Sequence, residues 1–244
     1  MLFNWKQGIR TLLTRCTILF HGYTYCIQHL RSNKWIFRCM FHFQPAGPAE
    51  SYWDWTTLVL KKAMRKYMRN HFSMVDVGTG VVGALAIYAK IQFPQARIYA
   101  VDQFDFIIAS ARHCAVKNRV PVYFWVGDLL NGVRAKFDLI VFNPPYIDEQ
   151  TNQQLRILDG AISRKRSFGG PDGCRTIDRF LSNVSDHLAW DGLALLGANE
   201  FYVPRKEIEH LVSQNSLMII ETLGNPITMS YALVMRKLSE DGKI

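Results

Sequence analysis

From residue 50 onward the chain alternates between two hydrophobic periods. Short runs rich in β-branched and aromatic residues predict strands at Met74–Val77, Arg97–Val101, Val122–Val126 and Leu139–Phe142, and again at Gly192–Leu196, Leu217–Leu223 and Met229–Met235. Between them lie longer stretches with helical spacing. Trp53–Asn70 places Leu58, Val59, Met64, Tyr67 and Met68 on one face, and Val81–Phe93 is apolar and stops before Pro94. Phe104–Lys117, Thr176–Ala189 and Pro204–Gln214 read as further helices, and the polar, Gly-rich stretch Asn152–Gly173 reads as a long loop. Strands alternating with helices imply an α/β domain with a mostly parallel sheet covered on both faces. The last two strands are joined by the turn signal Gly224-Asn225-Pro226 and are expected to be antiparallel.

The first 49 residues follow a different rule. Ile9, Leu12, Leu13, Cys16, Phe20, Tyr23, Ile27 and Leu30 recur at spacings of three and four, with Lys6, Arg10, Thr14, Thr17, His21, Gln28 and Arg31 between them. The turn-rich "QPAGPAES" (Gln44–Ser51) then marks a boundary, giving an extension over 1–49 and a main domain over 50–244. Charge sharpens this division. The net charge is +9, and residues 1–49 carry six basic side chains (Lys6, Arg10, Arg15, Arg31, Lys34, Arg38) and no acidic one, while the rest is close to neutral. Three uses fit a basic amphipathic helix: packing on the main domain with its basic side in solvent, contact with RNA, or organelle targeting. No run of 18 apolar residues exists, so no membrane span is expected. The five cysteines (Cys16, Cys26, Cys39, Cys114, Cys174) form no C-x-x-C pair, which points to a reducing, cytoplasmic setting without a zinc site.

Candidate chemistry begins at "MVDVGTGVVG". Gly78, Gly80 and Gly83 make a G-x-G-x-x-G turn between a strand and a helix, the arrangement that binds dinucleotides. Asp76, beside these glycines, would repel a pyrophosphate but suits a ligand with a cationic ammonium. Asp102 ends the next strand, where a carboxylate can accept both ribose hydroxyls. Asp128, in "VGDLL", follows the third strand and can accept from adenine N6. Three carboxylates at three strand ends converge on one crevice and fit S-adenosylmethionine, which has a ribose, an adenine, a sulfonium and an amino-acid tail. Thr79, Gly80, Gln103 and Leu129 lie next to them and complete the candidate donor site with Gly78 and Asn143.

The fourth strand ends in Asn143-Pro144-Pro145-Tyr146. Two prolines cannot continue a central strand. They can hold an elbow rigid. An amine conjugated into an amide or a nucleobase is a poor nucleophile, because its lone pair is delocalised. Acceptors for its two N–H groups draw the nitrogen toward sp³, and the Asn143 side-chain oxygen and the Pro144 carbonyl can supply them. Tyr146 can stack on the flat face of the acceptor. Proximity and orientation then carry an in-line methyl transfer, with the proton leaving to water.

These residues give the chain from about 50 to 237 its resemblance to class I S-adenosylmethionine-dependent methyltransferases with the N-P-P-Y motif. Within them it is most similar to the HemK-type glutamine N5-methyltransferases, on "NPPYI" (Asn143–Ile147), "GGPDGCRTIDRFL" (Gly169–Leu181) and "WDGLALL" (Trp190–Leu196). The resemblance implies a Rossmann-like seven-stranded sheet with the last strand antiparallel. It implies that Asn143, Pro144 and Tyr146 grip a glutamine amide in the Gly-Gly-Gln loop of a translation release factor, while Gly78, Asp102 and Asp128 hold the donor. The family's acidic-Thr motif upstream of the glycine loop is loosely matched by "ESYWDWTT" (Glu50–Thr57). Some relatives also need a small activator subunit. The same elbow would serve an RNA or DNA amino group (adenine N6, guanine N2 or cytosine N4), which the basic extension and Arg164-Lys165-Arg166 favour, or a small-molecule amine. A donor-binding scaffold without turnover is the non-enzymatic alternative.

Overall fold

The structure is a computed structural model of the chain, and it describes residues 26–46, 51–154 and 168–238. A helical segment over 26–32 precedes α1 (Lys34–Phe41) and α2 (Trp55–Tyr67). The α/β alternation then runs β1 (Ser73–Val77), α3 (Ala84–Gln92), β2 (Arg97–Asp102), α4 (Asp105–Lys117), β3 (Tyr123–Val126) and β4 (Phe137–Phe142). Next come β5 (Ile147–Asp148), α5 (Glu149–Gln154), β6 (Phe168–Gly170), α6 (Arg175–Val184) and a 3₁₀ turn at Ser185–His187. The chain closes with β7 (Leu188–Asn199), α7 (Arg205–Gln214), β8 (Leu217–Asn225) and β9 (Ser230–Lys237).

Seven strands form one sheet in the order β3-β2-β1-β4-β7-β9-β8. The pairs among β3, β2, β1, β4 and β7 are parallel, and β9 runs antiparallel to both β7 and β8. This is the Rossmann-like sheet that the sequence pattern and the resemblance lead one to expect. The two-residue period sorts each central strand onto two cores. Met74, Leu139, Val141, Leu195 and Val234 face one layer, which α1, α2 and α3 cover. Val75, Val77, Ile140, Phe142 and Leu196 face the other, under α6 and α7. Phe37 and Phe41 of α1, stacked at 4.6 Å, are fully buried in the first layer. The amphipathic pattern of the first 25 residues lies outside the described residues. Of its last apolar positions, Ile27 is half-buried and Leu30 is exposed.

The structure differs from the sequence reading in two places. Asn152–Gly173 is not loop throughout, because α5 extends to Gln154 and β6 pairs with β5, Ile147 opposite Phe168. A two-strand pairing this short leaves no period to read. The helix expected over Thr176–Ala189 stops at Val184, and β7 begins four residues earlier than its apolar run, at Leu188. There Leu188 pairs with Phe137 across β4, with a bulge before the regular register resumes at Leu139 and Leu193. Pairing to a neighbouring strand overrides the local helical pattern.

Candidate active site

β1 lies between β2 and β4, so the chain turns to opposite sides of the sheet at its end, and a crevice opens there. A cavity of about 540 Å³ occupies it, within the roughly 300–1,000 Å³ of small-ligand sites. Gly78, Asp102, Gln103, Asp128 and Leu129 line one part. Asn143, Pro144 and Tyr146 line another. The structure therefore brings together eight of the residues singled out from sequence. It leaves Asp76, Thr79 and Gly80 behind that lining.

The glycine turn explains this separation. Gly78, Gly80 and Gly83 all take positive φ, at 63°, 69° and 60°, a region that residues with a Cβ rarely adopt. The loop folds back on β2: Thr79 N–H donates to the Val101 carbonyl at 3.0 Å, and Gly80 N–H donates to Asp102 Oδ2 at 3.2 Å. Asp76 is buried beneath the loop. Its Oδ2 accepts from Thr79 Oγ1 at 2.7 Å and from Ala86 N–H at 3.2 Å, in the first turn of α3. The expectation that Asp76 faces a cationic ligand thus gives way to a carboxylate that ties the loop to the helix. Burial pushes its pKa up to about 7, against the lowering by these two hydrogen bonds, and neighbouring Asp102 adds to the rise. Of Asp76 and Asp102, it is Asp102 that reaches the cavity, held from behind by Gly80 N–H and by Phe104 N–H on Oδ1 at 3.2 Å. Asp128 accepts from Arg179 of α6 at 2.5 Å on Oδ2.

The elbow after β4 is held from a different direction. Asn143 Nδ2 donates to both oxygens of Asp54 and to Thr57 Oγ1, each at 3.2 Å. An ionised carboxylate only accepts, so the amide's NH₂ must face Asp54 and its oxygen must face away. That oxygen, Asn143 Oδ1, is buried without a hydrogen-bond partner among the described residues. Asp54 is itself immobilised as the N-cap of α2, where it accepts from Thr57 N–H at 2.6 Å and Thr57 Oγ1 at 2.7 Å. Helix α2 packs close on β7, because a Cβ on Gly197 would come within 2.5 Å of Thr56 Cγ2. Behind the elbow, Gly169 allows a similar approach: its Cβ would lie 2.7 Å from the Pro145 carbonyl oxygen.

Tyr146 is buried, and its hydroxyl lies 3.1 Å from Thr56 Oγ1, which donates to Ser230 Oγ at 3.3 Å. Thr56 has one hydrogen and gives it to Ser230, so the Tyr146 phenol donates to Thr56. Burial, then the nearby charge of Asp54, raises the phenol well above its ordinary pKa, so it stays neutral. Its ring packs on Tyr202 at 5.6 Å. Sequence reasoning missed Tyr202 and Ser230, which carry no motif, and Arg179, which lies inside "GGPDGCRTIDRFL" but whose role that stretch does not reveal. Asp54 and Thr57 had a signal: a D-x-x-T capping pattern ahead of an apolar run, inside the stretch that loosely matches the family's acidic-Thr motif.

Comparison with known proteins identifies the class. Residues 41–173, more than half of the chain, match the model of the methyltransferase small domain. The chain belongs to that family. It is 37% identical over 176 residues to a release factor glutamine methyltransferase of Haemophilus influenzae, covering 67% of this chain and 59% of that protein. It is also 34% identical over 95 residues to ribosomal RNA small subunit methyltransferase C of Actinobacillus succinogenes, covering 39% of this chain and 28% of that protein. The chain spans only part of either relative's length. A methyltransferase from Pyrococcus furiosus shares the fold, with a TM-score of 0.62 over 83% of this chain and 92% of that one, at 16% identity.

The family implies S-adenosylmethionine as methyl donor, and the lining fits it. Asp102 offers a carboxylate at the end of β2, Asp128 another after β3, and Gly78 brings backbone to the cavity wall without a side chain. No helix among the described residues is long and apolar enough to cross a membrane.

Proposed function

We propose that the chain methylates the nitrogen of a conjugated primary amide, a glutamine side chain in a protein of the release-factor type. The observation that carries this reading is the split environment of Asn143, with its NH₂ committed to Asp54 and Thr57 while its oxygen is buried and unpaired among the described residues. A buried acceptor without a donor is costly unless a ligand supplies one. An amide N–H does so, and the Pro144 carbonyl, on a backbone fixed by two prolines, is the second acceptor. S-adenosylmethionine, when bound, supplies the electrophilic methyl group. Asn143 and Pro144 orient the acceptor nitrogen, Asp102 and Asp128 take the ribose and adenine, and Tyr146 offers its ring face with its hydroxyl engaged behind. None of these roles requires an ionised tyrosine. Four cysteines, Cys26, Cys39, Cys114 and Cys174, are free among the described residues, which suits a reducing cytoplasm.

A nucleobase amine is the second reading, favoured by the net charge of +9 and by the ribosomal RNA methyltransferase relative. One experiment separates the two. Purified chain and radiolabelled S-adenosylmethionine are added to lysate of cells lacking the protein, and halves are digested with protease or RNase. Label lost to protease and kept after RNase supports the glutamine reading; the reverse result moves the function to RNA. Activity of the purified chain on the isolated acceptor, against activity only after lysate protein is added, decides whether an activator subunit takes part.

A further inference from the structure

Five side-chain polar atoms are buried without a partner among the described residues, and only two belong to residues that line the cavity. One is the acceptor Asn143 Oδ1. The other is a donor, Trp53 Nε1. The two residues are linked through Asp54, which clamps Asn143 and is joined to Trp53 by one peptide unit of about 3.8 Å. Trp53 is also held in place. Its carbonyl accepts from Arg31 Nε and from Ser51 Oγ, both at 2.7 Å, and its indole meets Trp55 edge to face at 5.2 Å. Only 6% of the residue is exposed, so solvent does not satisfy the indole N–H.

A donor and an acceptor without partners among the described residues, on residues that line one cavity, match a carboxamide, which carries N–H groups and a carbonyl oxygen on the same carbon. We infer that the Trp53 indole N–H donates to the carbonyl oxygen of the acceptor amide, making Trp53 a specificity residue for the reaction. The inference rests on the amide reading above. The contact is made in the bound ground state, where the conjugated carbonyl oxygen is the better acceptor, and it contributes to binding and orientation, not to activation of the nitrogen. Its loss therefore raises KM for the acceptor and leaves kcat nearly unchanged.

The test uses the full chain with S-adenosylhomocysteine and a peptide containing Gly-Gly-Gln, beside a control peptide with methionine in place of the glutamine. In ¹⁵N NMR the Trp53 indole resonance moves downfield with the glutamine peptide and stays in place with the control. Trp53→Phe keeps an aromatic ring but removes the donor; it raises the peptide KM about tenfold, as expected for one hydrogen bond, with kcat and donor affinity within about twofold. An indole resonance unmoved by a peptide that wild type methylates overturns the inference alone. A KM unchanged in a folded Trp53→Phe does the same. A peptide that wild type neither binds nor methylates overturns the amide reading together with the inference. Should Trp53→Phe not fold, the wild-type resonance decides.

Discussion

The two ends of the cavity are built on different length scales. At the donor end, Gly78, Asp102 and Asp128 stand at the ends of β1, β2 and β3; the glycine loop's hydrogen bonds join adjacent strand–loop units, such as Gly80 to Asp102, and Asp128 reaches farther, to Arg179 of α6. At the acceptor end, Asn143 is oriented by Asp54, 89 residues earlier, and Tyr146 is anchored through Thr56 to Ser230, 174 residues beyond Thr56. The donor end is mostly backbone geometry that glycines permit. The acceptor end is a set of side chains from the start of α2, the elbow after β4 and β9 that meet only when both sheet halves are packed. The difference predicts separable failures: donor-end changes should alter donor affinity, and acceptor-end changes should alter turnover.

The sharpest way to break the comparison is Asn143→Ala. Loss of one preorganised polar contact at a reacting group costs about 10²–10³ in kcat, while donor affinity by calorimetry stays within about twofold. Equal loss of both would merge the two ends into one site. Asp102→Ala is the mirror experiment. Removing an ionised acceptor for the ribose should weaken donor binding by about tenfold or more, with acceptor KM unchanged. Unaltered affinity would remove Asp102 from the donor site. Asp54→Ala should cost about tenfold in kcat/KM, the equivalent of one hydrogen bond that holds the Asn143 amide in place. It should also cost about 1 kcal/mol of stability through the lost N-cap. If only stability falls, the clamp on Asn143 has no role in turnover. Thr56→Val tests the Tyr146 anchor and should lower kcat about threefold, within the range of one neutral hydrogen bond.

Asp76 gives the smallest and most indirect effect, read in stability. Its folded pKa of about 7 lies above the 3.8 of a free aspartate side chain. Between those values the folded state holds a proton that the unfolded state has released. Its contribution to stability is therefore most favourable at low pH and declines as pH rises toward 7. Asp76→Asn keeps an acceptor for Thr79 and Ala86 and removes the charge. Urea midpoints at pH 5 and pH 8 should fall for wild type relative to Asp76→Asn at the higher pH. Parallel profiles would show that the carboxylate is not protonated in this window.

The same contrast governs what could be read from the chain. The glycine loop, Asp102, Asp128 and the elbow are legible because each is a local pattern at the end of an apolar run. Asp76 belongs to the same local pattern, yet its direction could not be read, since a carboxylate at a strand's end can face the ligand or the loop. Ser230 has no local mark, and Arg179 sits in a family-like stretch that does not reveal its partner. Trp53 reads as one more aromatic residue in an aromatic-rich stretch.

By itself, the sequence determined the strand and helix alternation, the parallel order with its antiparallel close, and the residue types at each strand's end. These follow from two hydrophobic periods and from the backbone limits of glycine and proline. The tertiary structure alone decided that the Asn143 oxygen is left without a partner among the described residues. A short amide can turn either way, and which way it turns is set by a carboxylate on another helix, brought there by the packing of α2 onto the sheet.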